Sequence, residues 1–386
     1  MVFEHAFLRE LVALKDEVGV VSLYVTADPR EETAIRPVWE IQLRNELTAM
    51  REQVSGWPER DRRMAVLGHL DKLEPYVLEL VDPAASGIGR VLVSPVSDDD
   101  VRTTTLQVPV GTCAVLESTA YVRPLVTAMA TGAPAGIALI SRDGVRLIDH
   151  RYGLAEDVYQ SVFTLDTGDW RKMRGPASPS AARQSSVLFD KFQRRVDVNL
   201  HRYLHAIAPQ IGSRVGQLRW TDLLLVGDPK LTETVAAALR PMEVVQADTI
   251  IPPSLHAPEV VRHVSGTLAE VRARRDAALV SQVKDAAFSG GHGVVGLGQT
   301  LALLNEGRVD VLLLDENGRW QGGRGPDGFL YPAGQVPPGV PAVEEPDLGE
   351  RMIERALESG AQVTILTAQT AAELADHDGV AAHLRW

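Results

Sequence analysis

Between residues 171 and 219 the chain places ten arginines and lysines against two acids, Asp190 and Asp197, a net charge of +8 in 49 residues. The ten are Arg171, Lys172, Arg174, Arg183, Lys191, Arg194, Arg195, Arg202, Arg214 and Arg219. Cationic side chains at that density suit the neutralisation of phosphates along a polyanion, an interaction that is salt-sensitive and indifferent to base sequence. The other chemistry-bearing residues are weaker candidates. His201 and His205 stand one helical turn apart and could present two imidazoles to a metal. No Glu lies between them and no third ligand is near in sequence, so they read as polar residues on a basic helix. Asp98-Asp99-Asp100 reads as a solvated loop between strands rather than a cation site. Cys113 lies in an apolar stretch and reads as a small core residue, not a nucleophile. Ser289-Gly290-Gly291-His292-Gly293 lacks both the Lys-Ser/Thr and the strand-to-helix setting of a phosphate loop. No Gly-x-Ser-x-Gly elbow occurs. The expectation is a chain with no metal and no cofactor.

The basic segment sits inside an acidic protein. The 386 residues carry a net charge of −12, divided as −7 over residues 1–130, +2 over 131–266 and −7 over 267–386. Taken alone the net charge argues against nucleic acid, but such asymmetry suggests one polyanion-facing surface on an otherwise soluble protein; no DNA partner is expected. With 45% hydrophobic residues the chain can bury large cores, and its length suits two or three domains. One cysteine excludes a disulfide scaffold and a cysteine-rich zinc site and fits a reducing cytoplasm. No apolar run reaches the ~20 residues of a membrane span. The opening MVFEHAFLRE lacks the basic-then-apolar order of a secretory leader. A cytoplasmic protein with no membrane partner is expected.

The pattern of apolar and turn-forming residues predicts three mixed α/β domains, at 1–130, 131–266 and 267–386. In the first, a helix over 7–15 precedes a strand over 20–25, helices over 36–54 and 60–80 are split by Gly56-Trp57-Pro58, and strands follow at 90–94 and 104–108. The segment Thr131-Gly132-Ala133-Pro134 closes it. The second opens on apolar runs 136–141 and 145–148 joined at Asp143-Gly144, a strong hairpin signal. A Gly/Pro/Ser-rich loop over 173–186 leads into a basic amphipathic helix with Val187, Leu188, Phe192, Val196, Leu200, Leu204 and Ile207 near one face. A strand at 223–226 and a helix at 232–239 follow. A long helix over 257–287, with apolar residues at helical spacing, bridges to the third domain. There a helix over 297–306 is capped by Gly307, a strand covers 309–314, and 316–346 reads as a long Gly/Pro-rich loop. A helix over 348–359 and a strand over 363–366 complete the pattern. Gly298-Gln299 falls at the start of the 297–306 helix and reads as local packing.

Three segments of the third domain carry a resemblance. Leu297 to Leu314 runs as a helix, then Gly307-Arg308-Val309, then a buried strand. Ile353 to Val363 contains Ala356-Leu357-Glu358-Ser359-Gly360-Ala361-Gln362-Val363. The chain ends Asp378-Gly379-Val380-Ala381-Ala382-His383-Leu384-Arg385-Trp386. In this order they resemble the C-terminal domain of the archaeal–eukaryotic peptide chain release factor and Pelota superfamily. The layout of the first two regions resembles the bacterial branch, which includes the Balon-like ribosome hibernation factors.

The resemblance implies a three-domain α/β architecture and a ribosomal partner. In this family the middle domain reaches along the tRNA acceptor arm toward the peptidyl-transferase centre by a loop and a basic helix. Here that slot is filled by Arg171, Lys172 and Arg174, the loop 175–186 with Arg183, and the helix bearing Lys191, Arg194, Arg195 and Arg202. Contacts to rRNA and tRNA, and an elongation factor as protein partner, follow as expectations. Peptidyl-tRNA hydrolysis in the family depends on Gly-Gly-Gln, whose glycines allow close backbone approach and whose glutamine serves the water and oxyanion. This loop has no Gly-Gly-Gln; Gln184, after Ala182-Arg183, is its one glutamine and the sole catalytic candidate. The Asn-Ile-Lys-Ser loop of stop-codon decoding is also missing. The reading is a non-enzymatic, A-site-occupying translation factor of hibernation or rescue type. Its alternatives are a divergent peptidyl-tRNA hydrolase using Gln184 and a stress-linked interaction protein without ribosome binding.

Overall fold

The computed structural model describes residues 5–28, 37–164 and 181–386, with the side chains of 5, 6 and 181–192 excepted. Its chain contacts separate two compact units, one joining residues 1–132 to 273–386 and the other spanning 133–272. All three sequence regions are mixed α/β, each built on sheet of its own.

The N-terminal region runs α1 (His5–Val12), β1 (Lys15–Thr26), α2 (Val38–Ser55), α3 (Arg60–Lys72), α4 (Glu74–Val81), β2 (Gly89–Pro95), β3 (Arg102–Leu106), β4 (Cys113–Thr119) and α5 (Arg123–Thr131). Its antiparallel sheet has the order β3-β2-β1-β4. Trp39, Leu43, Met50, Val66, Leu70 and Val77 from α2–α4 pack with Val21, Leu23, Val25 and Leu92 of the sheet. The expected helix 60–80 is two helices, broken at Leu73. Pro75 has no N–H and its ring clashes with a preceding turn, so it is placed in the first turn of α4. Strand β4 and helix α5 were not legible: every residue of Cys113–Ser118 is half-buried, so hydrophobic alternation is lost.

The middle unit runs β5 (Ala135–Ser141), β6 (Gly144–Arg151), β7 (Leu154–Val162), α6 (Ala181–Leu218), β8 (Asp222–Gly227), α7 (Pro229–Leu239), β9 (Val245–Ala247) and the first half of α8 (Ala257–Phe288). The sheet order is β7-β6-β5-β8-β9, with β5, β8 and β9 parallel and β6 and β7 antiparallel. The expected hairpin forms, but its turn residues are Arg142-Asp143, and Ser141 pairs with Gly144. Gly144 is required for another reason: at φ +144 its missing Cβ would lie 2.0 Å from the Ser161 carbonyl oxygen on β7. The next turn, Tyr152-Gly153, has φ 49 and 79, the positive-φ pair of a tight two-residue hairpin. One sheet face packs on α6 and α7. The other packs on Val260, Val264 and Leu268 of α8.

The C-terminal region continues from α8 through β10 (Gly293–Val295), α9 (Leu297–Asn305), β11 (Val309–Asp315), β12 (Gly322–Arg324), β13 (Leu330–Pro332), β14 (Val343–Glu345), α10 (Leu348–Glu358), β15 (Gln362–Leu366), α11 (Ala368–Ala371) and β16 (Val380–Leu384). The main sheet is β10-β16-β11-β15. Gly307 takes φ +70 just past α9, as a helix-ending glycine should. The stretch 316–346 is not a plain loop: β12, β13 and β14 form a small antiparallel sheet in it. Strands of three residues are too short to show a period of two. The glycine-rich turn before β10 has a packing role, since a Cβ on Gly293 would lie 2.3 Å from the Val283 carbonyl oxygen.

Helix α10 joins the two separated segments of the first unit, and it does so with buried charge. Glu350 is fully buried and accepts hydrogen bonds from the backbone N–H groups of Val122 (2.6 Å) and Arg123 (3.0 Å), capping α5 from outside its own sequence. Burial pushes the Glu350 carboxyl well above its usual range, and those two N–H donors pull it back. Arg123, 8% exposed, sends its guanidinium the other way, to the Gly318 carbonyl at 2.9 Å and Asp347 at 3.3 Å. Arg351, 4% exposed, meets Glu117 of β4, Glu345 at 3.2 Å, and Glu354 and Thr119 at 2.6 Å each.

Replacing Arg351 by Ala leaves Glu117, Glu345 and Glu354 facing one another without their shared cation. A loss of about 3–5 kcal/mol is expected, as for other buried pairs broken on one side. Hydrogen exchange of α5 amides in Arg351→Ala should read it directly; unchanged protection there would show that the seam does not depend on this residue.

In the middle unit, His150 is 9% exposed and its Nδ1 lacks a hydrogen-bond partner. Burial, then the neighbouring Arg272 guanidinium, push the imidazole down to about 4. A depressed histidine favours the folded state fully above its unfolded value, near 6.5, and that contribution fades as pH falls toward about 4. The stability of the His150→Leu variant should therefore fall less steeply than wild type between those two values in a urea series.

Candidate nucleic-acid interface

Helix α6 has 38 residues and supplies most of the described basic positions of the segment 171–219. Its start corrects the expected loop 173–186: residues 181–186 are already helical. Ala181-Ala182-Arg183-Gln184 are all strong helix formers, so composition-based loop reading stopped too late. Arg183, Gln184 and Lys191 therefore have helical backbone, while their side chains lie outside the described residues. Arg171, Lys172, Arg174 and the segment 173–180 also lie outside them.

From residue 193 onward the division of faces is clear. Leu200, Leu204, Ile207, Ala208 and Ile211 are buried against Ala138, Ile140, Val145 and Leu147 of the sheet and Val235 and Leu239 of α7. The opposite stripe exposes Arg194, Arg195, Val198, His201, Arg202 and His205. These recur at spacings of three and four, which places them on one side of the helix. A depression of about 680 Å³ on this side is lined, among the described residues, by Asp197, Val198, His201, Arg202, His205 and Ala206. Asp197, the acid of the stripe, is 3.8 Å from Arg142 in the β5–β6 turn.

Two tyrosines fix the helix to the sheet edge, and sequence reading missed both. The Tyr203 hydroxyl donates to the Ser161 carbonyl at 3.0 Å, and its ring packs at 5.4 Å on Phe163. The Tyr159 hydroxyl donates to the Gln210 side-chain oxygen at 2.8 Å. Arg214 lies 4.0 Å over the Tyr159 ring. That arginine belongs to the +8 segment by count, yet its charge is used in packing. Pro209 sits inside α6, where it removes one helical N–H donor and yet leaves the helix continuous.

The remaining chemical candidates have structural employment. Asp99 pairs with Lys72 at 3.1 Å and Asp100 with Arg102 at 2.8 Å. Cys113 lies on β4 with its thiol pushed up to about 12 by burial, away from nucleophilic use. The His201 ring nitrogen is 3.3 Å from the Thr234 hydroxyl of α7, which itself donates to the Lys230 carbonyl. No cluster of three metal-ligating side chains occurs among the described residues. No described helix is long and apolar enough to cross a membrane.

Residues 134–254, which contain β5 to β9 and all of α6, match the family model described as bacterial archaeo-eukaryotic release factor family 5. This region is release-factor-like. No curated protein matches the chain. Among solved structures, an archaeal translation termination factor, aRF1, is 16% identical, with 99% of this chain and 96% of that one covered, at a TM-score of 0.25. Pelota of Archaeoglobus fulgidus is 14% identical over 77% and 79% of the two chains, TM-score 0.33. Dom34 of S. cerevisiae is 8% identical over 77% and 79%, TM-score 0.40.

The two faces of α6 predict opposite responses to substitution. Leu204→Ala should destabilise the middle unit by about 2–5 kcal/mol through lost burial and the cavity left behind. Arg194→Glu with Arg195→Glu should change stability by no more than about 0.5 kcal/mol per site, as exposed substitutions do. Thermal unfolding of the two variants against wild type checks both.

Proposed function

We propose that this chain is a ribosome-associated translation factor whose middle unit sets the basic stripe of α6 against RNA in the A-site region. The observation that carries the proposal is the exposure of Arg194, Arg195 and Arg202 on one side of a helix within the segment matched to the release-factor family. An apolar face holds the helix in place, so the arginines are presented at fixed spacing rather than on a free tail. Phosphates of rRNA or of a tRNA acceptor arm would be the ligands. The acidic flanking regions repel bare nucleic acid, so productive docking needs a shaped ribosomal cleft and free tRNA binds weakly.

The role we propose is hibernation or rescue in the cytoplasm, as in the Balon-like branch, without stop-codon decoding and without hydrolysis. Lack of Gly-Gly-Gln and of Asn-Ile-Lys-Ser supports this. An elongation factor is the proposed protein partner. Arg171, Lys172, Arg174, Arg183 and Lys191 would extend the same phosphate-facing surface. Should labelled peptidyl-tRNA be cleaved by wild type and spared by Gln184→Ala, the chain is a divergent hydrolase instead.

Ribosome cosedimentation across a salt series tests the interface. Each phosphate contact removed should flatten the slope of log affinity against log salt by about 0.7–0.9. Arg194→Glu with Arg195→Glu should lose up to two such contacts while remaining folded. A folded double variant with wild-type affinity and slope would refute the RNA-facing assignment and favour an interaction protein that has left the ribosome.

A further inference from the structure

Separately from the RNA-facing reading, we propose that the crevice between α2 and the α3–α4 pair binds a small amphipathic carboxylate, one carried on a single ring or a short branched chain. The crevice lies wholly in the N-terminal region and encloses about 160 Å³. Its floor is Leu23 of β1, which has no exposed surface. Helix α2 contributes Arg44, Leu47, Thr48 and Arg51. The facing pair contributes Leu70, Leu73, Glu74 and Val77. Each set recurs at spacings of three, one and three, so each lies on one side of its element. Leu70, Leu73 and Val77 are buried and make the walls apolar. Thr48 is short, and its hydroxyl donates to the Arg44 carbonyl at 2.8 Å, back along its own helix. It neither fills the crevice nor needs a partner inside it. A dry cavity of about 150 Å³ with walls of this kind takes up benzene, so the volume suits one six-membered ring or its branched equivalent.

The mouth supplies the polar half of the match. Arg44 donates from Nε to Glu40 at 3.0 Å and from Nη1 to Glu74 at 3.2 Å, and Arg51 donates from Nη1 to Asp71 at 2.8 Å. Among the described residues, Nη2 of Arg44 and both Nε and Nη2 of Arg51 have no acceptor. Two guanidinium groups and one carboxylate, that of Glu74, line the crevice. The unused donors call for an acceptor, and charge-assisted bonds from arginine favour an anionic one. The acids that bridge the mouth, Glu74 and Asp71, are 46% and 72% exposed. Ion pairs so wet are weak, and they yield to an incoming carboxylate that also buries a ring. A bare anion makes no use of the leucine walls, and a plain hydrocarbon leaves the donors idle. A carboxylate on one ring meets both, and once seated it bridges α2 to the α3–α4 pair.

The test is calorimetric titration of the purified chain, without ribosomes, against benzoate, benzyl alcohol, benzylamine and acetate. Benzoate should bind tightest. Benzyl alcohol and benzylamine should be severalfold weaker, and acetate weaker by at least about tenfold, because no ring is buried. Leu47→Trp and Thr48→Phe each place a ring of the protein's own in the crevice, and each should abolish benzoate binding. Thr48 is exposed, so its replacement leaves the core alone, and melting curves confirm which variants are folded. Arg44→Gln with Arg51→Gln should bring benzoate down to the level of benzyl alcohol while the alcohol binds as before. If benzoate does not bind, or if acetate matches it, nothing enters the crevice and the proposal is overturned. It is equally overturned if a folded blocking variant binds benzoate as wild type does, since the ligand then sits elsewhere. Benzylamine matching benzoate would show that the arginines do not read the carboxylate, and would overturn the ligand class.

Discussion

Placing Arg351 at 4% exposure among Glu117, Glu345 and Glu354 is the constraint on which the two-segment unit turns. Arg351 meets acids drawn from β4, β14 and α10, regions far apart in the chain, and Arg324 shares Glu345 with it at 2.8 Å. Removing α10, which carries Arg351, would leave Glu117 without that cation and Glu345 with Arg324 alone. Glu350 adds a second tie of the same kind, because α5 begins with N–H groups that have no partner within their own helix. The joining of residues 1–132 to 273–386 is therefore specified by charge and hydrogen-bond matching as well as by apolar burial.

That seam was invisible in the sequence for a definite reason. Glu350, Arg351 and Glu354 occupy positions at which a surface helix carries solvated ion pairs, and a single chain read by periodicity assigns them to water. Only the approach of β4 and α5 from more than two hundred residues away turns them inward. The α10 boundaries, by contrast, were legible: the helix expected over 348–359 runs Leu348–Glu358, and Gly360 after it is a local signal, which is what sequence displays. Strand β4 failed by the same logic in reverse, its half-buried residues having no contrast to show.

For the candidate site the balance was similar. The apolar face of α6, with Leu200, Leu204 and Ile207, follows from helical spacing and is the face the sheet covers. The basic side follows as its complement. Charge counting could not tell which cations face solvent; Arg214, stacked on Tyr159, belongs to the fold. Nor could it assign His201 and His205 to the same stripe as Arg202 until the helix had a buried side.

The cap on α5 also has a consequence in time. Val122 and the Glu350 that holds its N–H are 228 residues apart. At translation rates of about 5–20 residues per second, the nascent N-terminal region waits roughly 10–45 s for its partner helix. Within that interval the middle unit, contiguous in sequence, is synthesised in full. This molecule therefore closes its first unit last, after its second unit has been made, and the edge strand β4 is the surface a chaperone would meet in the meantime.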